Sequence, residues 1–126
     1  MDLKSAKATV FLATSNAEAA RSFYEQTLGL ELAADDPFAL VYQLAGTELR
    51  ISKVPHHNPL PFTVLDWQVA SIGEAHSTLA EKGVEFSIFE GMGQDEKGIW
   101  ASPDGGARIL WFKDPDGNVL SVSERS

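Results

Sequence analysis

The chain repeats its own pattern, and that repeat narrows the folds open to it more than any other feature. A strand-like apolar run, "ATVFLA" (Ala8 to Ala13), precedes a helical stretch that opens at Asn16, whose short side chain suits a helix cap. A second run, "FTVLDWQVA" (Phe62 to Ala70), precedes Ser71-Ile72-Gly73-Glu74, the Ser-x-x-Glu spacing of a capping box. The helical period puts Ala20, Phe23, Tyr24 and Thr27 or Leu28 on one face of the first helix, and Ile72, Ala75, Leu79 and Ala80 on one face of the second. Both stretches close on glycine and an apolar residue, Gly29-Leu30 and Gly83-Val84, where a left-handed terminal residue is needed.

Further strands follow each helix: "LELAA", "FALVYQL" and "ELRISKV" in the first half, "VEFSIF", "ARILWFK" and "VLSVS" in the second, with "IWAS" as an extra hairpin arm. The order is βαβββ written twice, at an offset of about 55 residues. "PHHNPLP" (Pro55 to Pro61) carries three prolines, breaks regular structure and reads as the linker. A unit of roughly 60 residues is marginal alone and leaves one side of its sheet unburied. The expectation is therefore one α+β domain over residues 1–126, with module one at about 6–54, the linker at 55–61 and module two at about 62–126. The two tandem βαβββ modules would share a cleft and carry their helices on the outside.

"WFKDPDGNVLSV" (Trp111 to Val122) holds two aspartates, a glycine and an asparagine in five positions, which raises a cation loop as a reading. Spacing argues against it. A calcium loop counted from Asp114 needs glycine at its sixth position and glutamate at its twelfth, where this chain has Val119 and Arg125. Asp114-Pro115-Asp116-Gly117 instead fits a type I turn, as does Ser102-Pro103-Asp104-Gly105. Both are expected to be hairpin turns.

Eighteen acidic against ten basic residues give a net charge of −8, and no basic stripe is present to follow a nucleic-acid backbone. No apolar run nears the ~20 residues of a membrane span, and "MDLKSAKATVFLATS" makes no signal peptide. The absence of cysteine removes disulfides, thiolate chemistry and zinc–thiolate sites. A soluble cytoplasmic protein with neither a nucleic-acid nor a membrane partner is expected.

The doubled unit, together with "NAEAARSFYEQTLGLEL" and "FKDPDGNVLSVSE", resembles the vicinal oxygen chelate superfamily, which holds glyoxalase I, extradiol dioxygenases and bleomycin-resistance proteins. The likeness covers nearly the whole chain. It implies a homodimer and a divalent metal held in the cleft by ligands from the first and last strands of each module. Carried over by position, those ligands fall on Thr9, Arg50, Val64 and Ser121. Valine has no lone pair to give and guanidinium brings a positive charge, so this set does not hold a metal. His56 and His57 lie in the linker and His76 sits beside the buried face of the second helix, without carboxylate partners at metal-binding spacing.

Strand alternation about those positions builds the expected cleft face: Thr9, Phe11 and Ala13; Glu48, Arg50 and Ser52; Val64, Asp66 and Gln68; Val119, Ser121 and Ser123. The ligand-binding set is Thr9, Phe11, Arg50, Ser52, Asp66, Gln68, Trp100, Trp111 and Ser121. Arg50 reads either as a fork for a ligand carboxylate or phosphate, or as a salt bridge to Asp66 or Glu48. The tryptophans read as aromatic walls or as core anchors. The loop "EGMGQDEKG" (Glu90 to Gly98) reads as a mobile lid or as a plain exposed connection. The functional expectation is a metal-free, cofactor-free binder of a small molecule, resembling the antibiotic-sequestering branch. The alternatives are an enzyme of the same superfamily with atypical metal or acid–base residues, such as Asp66 or Glu48, or an interaction module whose cleft is filled by its own side chains. No catalytic residue is assigned.

Overall fold

Period-two alternation along the strand-forming runs produces two four-stranded sheets in the computed structural model, which describes residues 1–126. The chain divides into two compact units, Met1–Asn58 and Pro59–Ser126, each with one sheet. The division falls inside the proline-rich stretch. Each unit is a βαβββ module, so the class is α+β.

In module one, β1 (Thr9–Thr14), β2 (Glu31–Asp35), β3 (Ala39–Leu44) and β4 (Thr47–Lys53) lie in the order β1-β4-β3-β2. β1 runs parallel to β4, from Thr9 opposite Glu48 to Thr14 opposite Lys53, while β2, β3 and β4 form an antiparallel meander. Val10, Leu49 and Tyr42 share one row, Leu12, Ile51 and Leu40 the next. Leu40, Tyr42, Leu49 and Ile51 are fully buried. The helix α1 (Ala17–Arg21) covers this face, with Asn16 Oδ1 accepting from the Ala19 amide at 3.1 Å as the cap requires.

Past Arg21 the helix widens into a π turn over Ser22–Thr27, closed by the Leu28 amide donating to the Phe23 carbonyl at 2.9 Å. The wider turn keeps Tyr24 fully buried, its ring centroid 5.8 Å from that of Tyr42.

Module two contains β5 (Thr63–Gln68), α2 (Ile72–Glu81), β6 (Trp100–Ala101), β7 (Ala107–Lys113) and β8 (Val119–Arg125), with sheet order β5-β8-β7-β6. Again the first strand is parallel to the last. Leu65, Leu120 and Phe112 form one helix-side row, Trp67, Val122 and Leu110 the next. Ser71 Oγ caps α2 by accepting from the Glu74 amide, and Glu124 Oε1 accepts from the Ile72 amide at 2.9 Å, tying the helix start to β8. Ile72 is buried and Ala75 and Leu79 are half-buried, but Ala80 is exposed, because α2 turns it past the edge of the packed stripe.

Two other expectations need correction. The run Val84–Phe89 is not a strand: it makes one isolated bridge, Phe86 opposite Phe112, and the Ser87 amide donates to the Trp111 carbonyl. The short β6 takes the rest of that edge, pairing Trp100 with Ile109 and Ala101 with Arg108. In β5, the register slips between Thr63 and Leu65, so Val64 is the extra residue of a bulge.

The glycine-rich loop is tied down by its own side chains. Gln94 Oε1 accepts from the Phe89 amide at 2.7 Å, and its Nε2 donates to the Ser87 and Gly98 carbonyls at 2.9 and 2.8 Å. Asp95 Oδ1 accepts from the Lys97 and Ile99 amides.

Both predicted turns are present. The Gly117 amide donates to the Asp114 carbonyl, and that of Gly105 to Ser102, each at 3.0 Å. The Asp114 carboxylate is buried and accepts from the amides of Asp116 and Asn118 and from Asn118 Nδ2. Those oxygens stabilise the turn and are directed at protein donors. Gly117 has φ +86°, and a Cβ there would meet Pro59 Cγ at 3.0 Å.

Candidate functional site

The helix takes one face of each sheet, which leaves the other face for chemistry. In module one the helix-free rows are Thr9–Glu48–Gln43, Phe11–Arg50–Val41 and Ala13–Ser52–Ala39. Thr9, Phe11, Arg50 and Ser52 therefore share that face, and Phe11 is 63% exposed. Arg50 Nη1 lies 3.6 Å from Glu48 Oε1, with both side chains partly exposed. Of the two acids considered for it, Glu48 is the partner. The choice is set by geometry: both project from the same face of β4, two residues apart.

In module two the helix-free rows are Asp66–Ser121–Trp111 and Gln68–Ser123–Ile109–Trp100. Asp66, Gln68, Ser121, Trp111 and Trp100 are thus brought together on one face. Ser121 Oγ donates to Asp66 Oδ1 and Ser123 Oγ to Oδ2, both at 2.7 Å, and Arg125 Nη2 stands 3.6 Å from Oδ2. Asp66 is therefore oriented by β8. Trp111 packs edge-on to Phe89, centroids 5.4 Å apart, and lies 6.3 Å from Trp100 at 49°.

The expected binding set omits Ser123, Arg125 and Phe89. Period two on β8 carries Ser121 to Ser123 and then to Arg125, so the first two were within reach of alternation; Phe89 enters only through the folded loop. His76 is a packing residue, its ring stacked on Phe86 at 4.6 Å.

Most of the strongly perturbed titrating groups lie elsewhere, on the helix side of module one. Arg21 Nε and Nη2 donate to the Glu25 carboxylate at 2.8 and 3.2 Å, and Tyr42 Oη donates to Glu25 at 2.9 Å. The Arg21 hydrogen bond holds the Glu25 carboxyl below its usual range. Burial, then the Glu25 bond, pushes the Tyr42 hydroxyl up. Lys53 and Arg21 both pair with Asp35, and the Lys53 bond lowers its carboxyl. A surface depression of about 380 Å³ lined by Glu18, Arg21, Ser22, Glu25 and Gln26 runs along this helix. Several of its charged groups are already paired with one another, so it presents little unspent chemistry.

The donor chemistry does not fit a metal ion. Thr9, Arg50, Val64 and Ser121 supply at most two neutral hydroxyls, with Arg50 paired to Glu48 and Ser121 donating to Asp66. No three His, Cys, Asp or Glu side chains are grouped so as to hold one, and no buried polar side-chain atom lacks a hydrogen-bond partner. No helix is long and apolar enough to cross a membrane.

No curated protein matches the chain in sequence. Solved structures do. A glyoxalase family protein from Bacillus anthracis superposes with a TM-score of 0.73 at 21% identity, covering 96% of this chain and 95% of that one. TnmS3, an antibiotic binding protein from Streptomyces sp. CB03234, gives 0.72 at 26% identity, covering 97% of each chain. A lactoylglutathione lyase from Agrobacterium tumefaciens gives 0.72 at 17% identity, covering 95% and 93%. A family model described as Glyoxalase/Bleomycin resistance protein/Dioxygenase superfamily matches residues 8–122. That match spans both modules, and the chain belongs to this superfamily.

Proposed function

We propose that this protein binds a small organic molecule without a metal ion, using the helix-free sheet faces that carry Thr9, Phe11, Arg50 and Ser52 in module one and Asp66, Gln68, Trp100, Trp111 and Ser121 in module two. In this reading residues 1–126 work as one domain, as a cytoplasmic homodimer that takes neither nucleic acid nor a membrane as partner. The observation that carries it is the donor set. The residues at the superfamily's ligand positions are hydroxyl, guanidinium and alkyl groups, while the surrounding faces hold guanidinium groups, carboxylates and aromatic rings. That mixture recognises an organic ligand by charge and stacking. The likeness to TnmS3 at 26% identity supports the same reading, whereas the likeness to the lyase at 17% bears on fold alone.

Elemental analysis of untagged protein, followed by thermal-shift screening against small carboxylates and organic cations, tests it. The expected result is no stoichiometric metal and a melting point that rises with ligand concentration, since binding to the native state stabilises it. Stoichiometric zinc, nickel, manganese or iron would overturn it in favour of an enzyme. A carboxylate response should vanish in Arg50→Ala; if it persists, Arg50 is not a contact.

A further inference from the structure

We infer that the helix-free face of module two is a subsite for an organic cation, with Asp66 as its counter-charge, Trp111, Trp100 and Phe89 as its wall, and Arg125 as a built-in competitor. The inference rests on the binding reading above and specifies the ligand class.

Ser121 and Ser123 are almost fully buried, at 2% and 1% exposed, and each spends its proton on Asp66. A carboxylate held by two hydroxyl donors has its geometry fixed before any ligand arrives, and what it still presents is lone pairs. The carboxylate is therefore an acceptor, and its complement is a cation with N–H groups. The side chain of Asp66 remains 23% exposed, so a cation can reach it.

The molecule already demonstrates the match. Arg125 lies on the same face of β8 as Ser121 and Ser123, and its guanidinium stands 3.6 Å from Asp66 Oδ2 while the side chain stays 58% exposed. At that distance and exposure the pair is loose, of the kind that contributes little to stability. A ligand cation can displace it without breaking the fold.

Beyond Ser121 in the same row stands Trp111, two strands from Asp66 and so about 10 Å away across the sheet. Phe89 meets Trp111 edge-on, and Trp100 leans against it. Indole faces attract cations and flat π-systems. A ligand with a flat apolar body and one amidinium, guanidinium or ammonium group meets both ends of this row.

The test uses the labelled full chain and three probes of one shape: benzamidinium, neutral benzamide and anionic benzoate. The chain has three tryptophans, and Trp67 pairs with Val122 on the helix side, so its indole N–H signal is an internal control. Benzamidinium is expected to move the Trp111 and Trp100 signals saturably and leave Trp67 in place. Benzamide should bind at least tenfold more weakly, and benzoate not at all. Asp66→Asn should weaken benzamidinium tenfold or more, while Arg125→Ala should tighten it severalfold by removing the competitor. A purely structural role for Arg125 predicts no such gain. Equal binding of benzamide, or weaker binding in Arg125→Ala, would overturn the inference, and both comparisons stand even if Asp66→Asn does not fold. Those failures leave the metal-free reading intact. Stoichiometric metal does the reverse, removing that reading without touching the charge preference.

Discussion

Across the matching strands of the two modules, the central helix-side rows read Val10–Leu49–Tyr42 and Leu65–Leu120–Phe112, and the helix-free rows read Phe11–Arg50–Val41 and Asp66–Ser121–Trp111. The first pair is interchangeable in character, apolar in five of six positions. The second pair places a cation where its counterpart has a hydroxyl, and an aromatic ring where its counterpart has a carboxylate. The covering helices account for the contrast. Leu49, Tyr42, Leu120 and Phe112 are fully buried beneath helices, where a charge is costly, so both copies keep hydrocarbon there. The other face has no helix to satisfy, and each copy has balanced its charge locally, Arg50 with Glu48 and Asp66 with Arg125. The two modules keep hydrocarbon on the half of each sheet that folding needs and differ on the other half.

The equivalence of the helix-side rows is tested most severely at their centres. Leu49→Ala and Leu120→Ala should each cost about 2–5 kcal/mol, measured by urea denaturation. A loss below about 1 kcal/mol at either site would show that one copy does not rely on this row. The edges, by contrast, should separate the modules. Gln94→Ala removes three hydrogen bonds for which module one has no counterpart, and about 2–3 kcal/mol of local stability should go with them. Amide exchange should then speed up at Phe89 while β3 and β4 are unaffected; unchanged exchange at Phe89 would mean the loop is held by something else.

The turn that joins β3 to β4 at Gly46 and the turn that joins β7 to β8 at Gly117 sharpen the comparison further. Gly46 and Gly117 both have positive φ, but a Cβ at Gly46 meets nothing within 4 Å while one at Gly117 meets Pro59. Gly117→Ala should cost about 2 kcal/mol and Gly46→Ala about 1 kcal/mol, the difference being the steric part. Equal costs would place the strain in the backbone alone. The smallest effect concerns acid. The Glu25 carboxyl is lowered by Arg21, so its contribution is present above its ordinary value of 4.5 and is lost as pH falls below it through the depressed value. The acid-side loss of stability should shrink in Glu25→Gln, and a wild-type slope in that variant would discount the pair.

Much of this was legible in the order of residues. Asn16 and Ser71 cap as expected, the two Pro-Asp-Gly turns close as expected, and alternation separated the two faces of β1, β4 and β8, and of β5 beyond the bulge at Val64. What local pattern did not show has a physical cause in each case. Val84–Phe89 alternates like a strand, but Gln94 takes the Phe89 amide and the Ser87 carbonyl, bonds that a ladder would have used. The π turn at Ser22–Thr27 follows from seating Tyr24 against Tyr42, a contact between residues far apart in sequence. On the candidate faces, residue type and parity located Arg50 and Asp66. Their partners depended on reach: Arg50 finds an acid two residues away, and Asp66 is claimed by three residues of the strand beside it.

Both modules close with a parallel pair, β1 on β4 and β5 on β8. A strand of that kind emerges from the ribosome long before its mate, about 40 residues earlier in the first copy and about 55 in the second. The neighbouring hairpins are local and quick to zip, whereas the parallel strand must wait and then bear the entropy of a long loop. Each half is therefore expected to zip its antiparallel strands before it seats its parallel first strand. In the nascent chain Asp66 and its neighbours stay unpaired longest, which makes β5 the stretch most exposed to mispairing before the fold is complete.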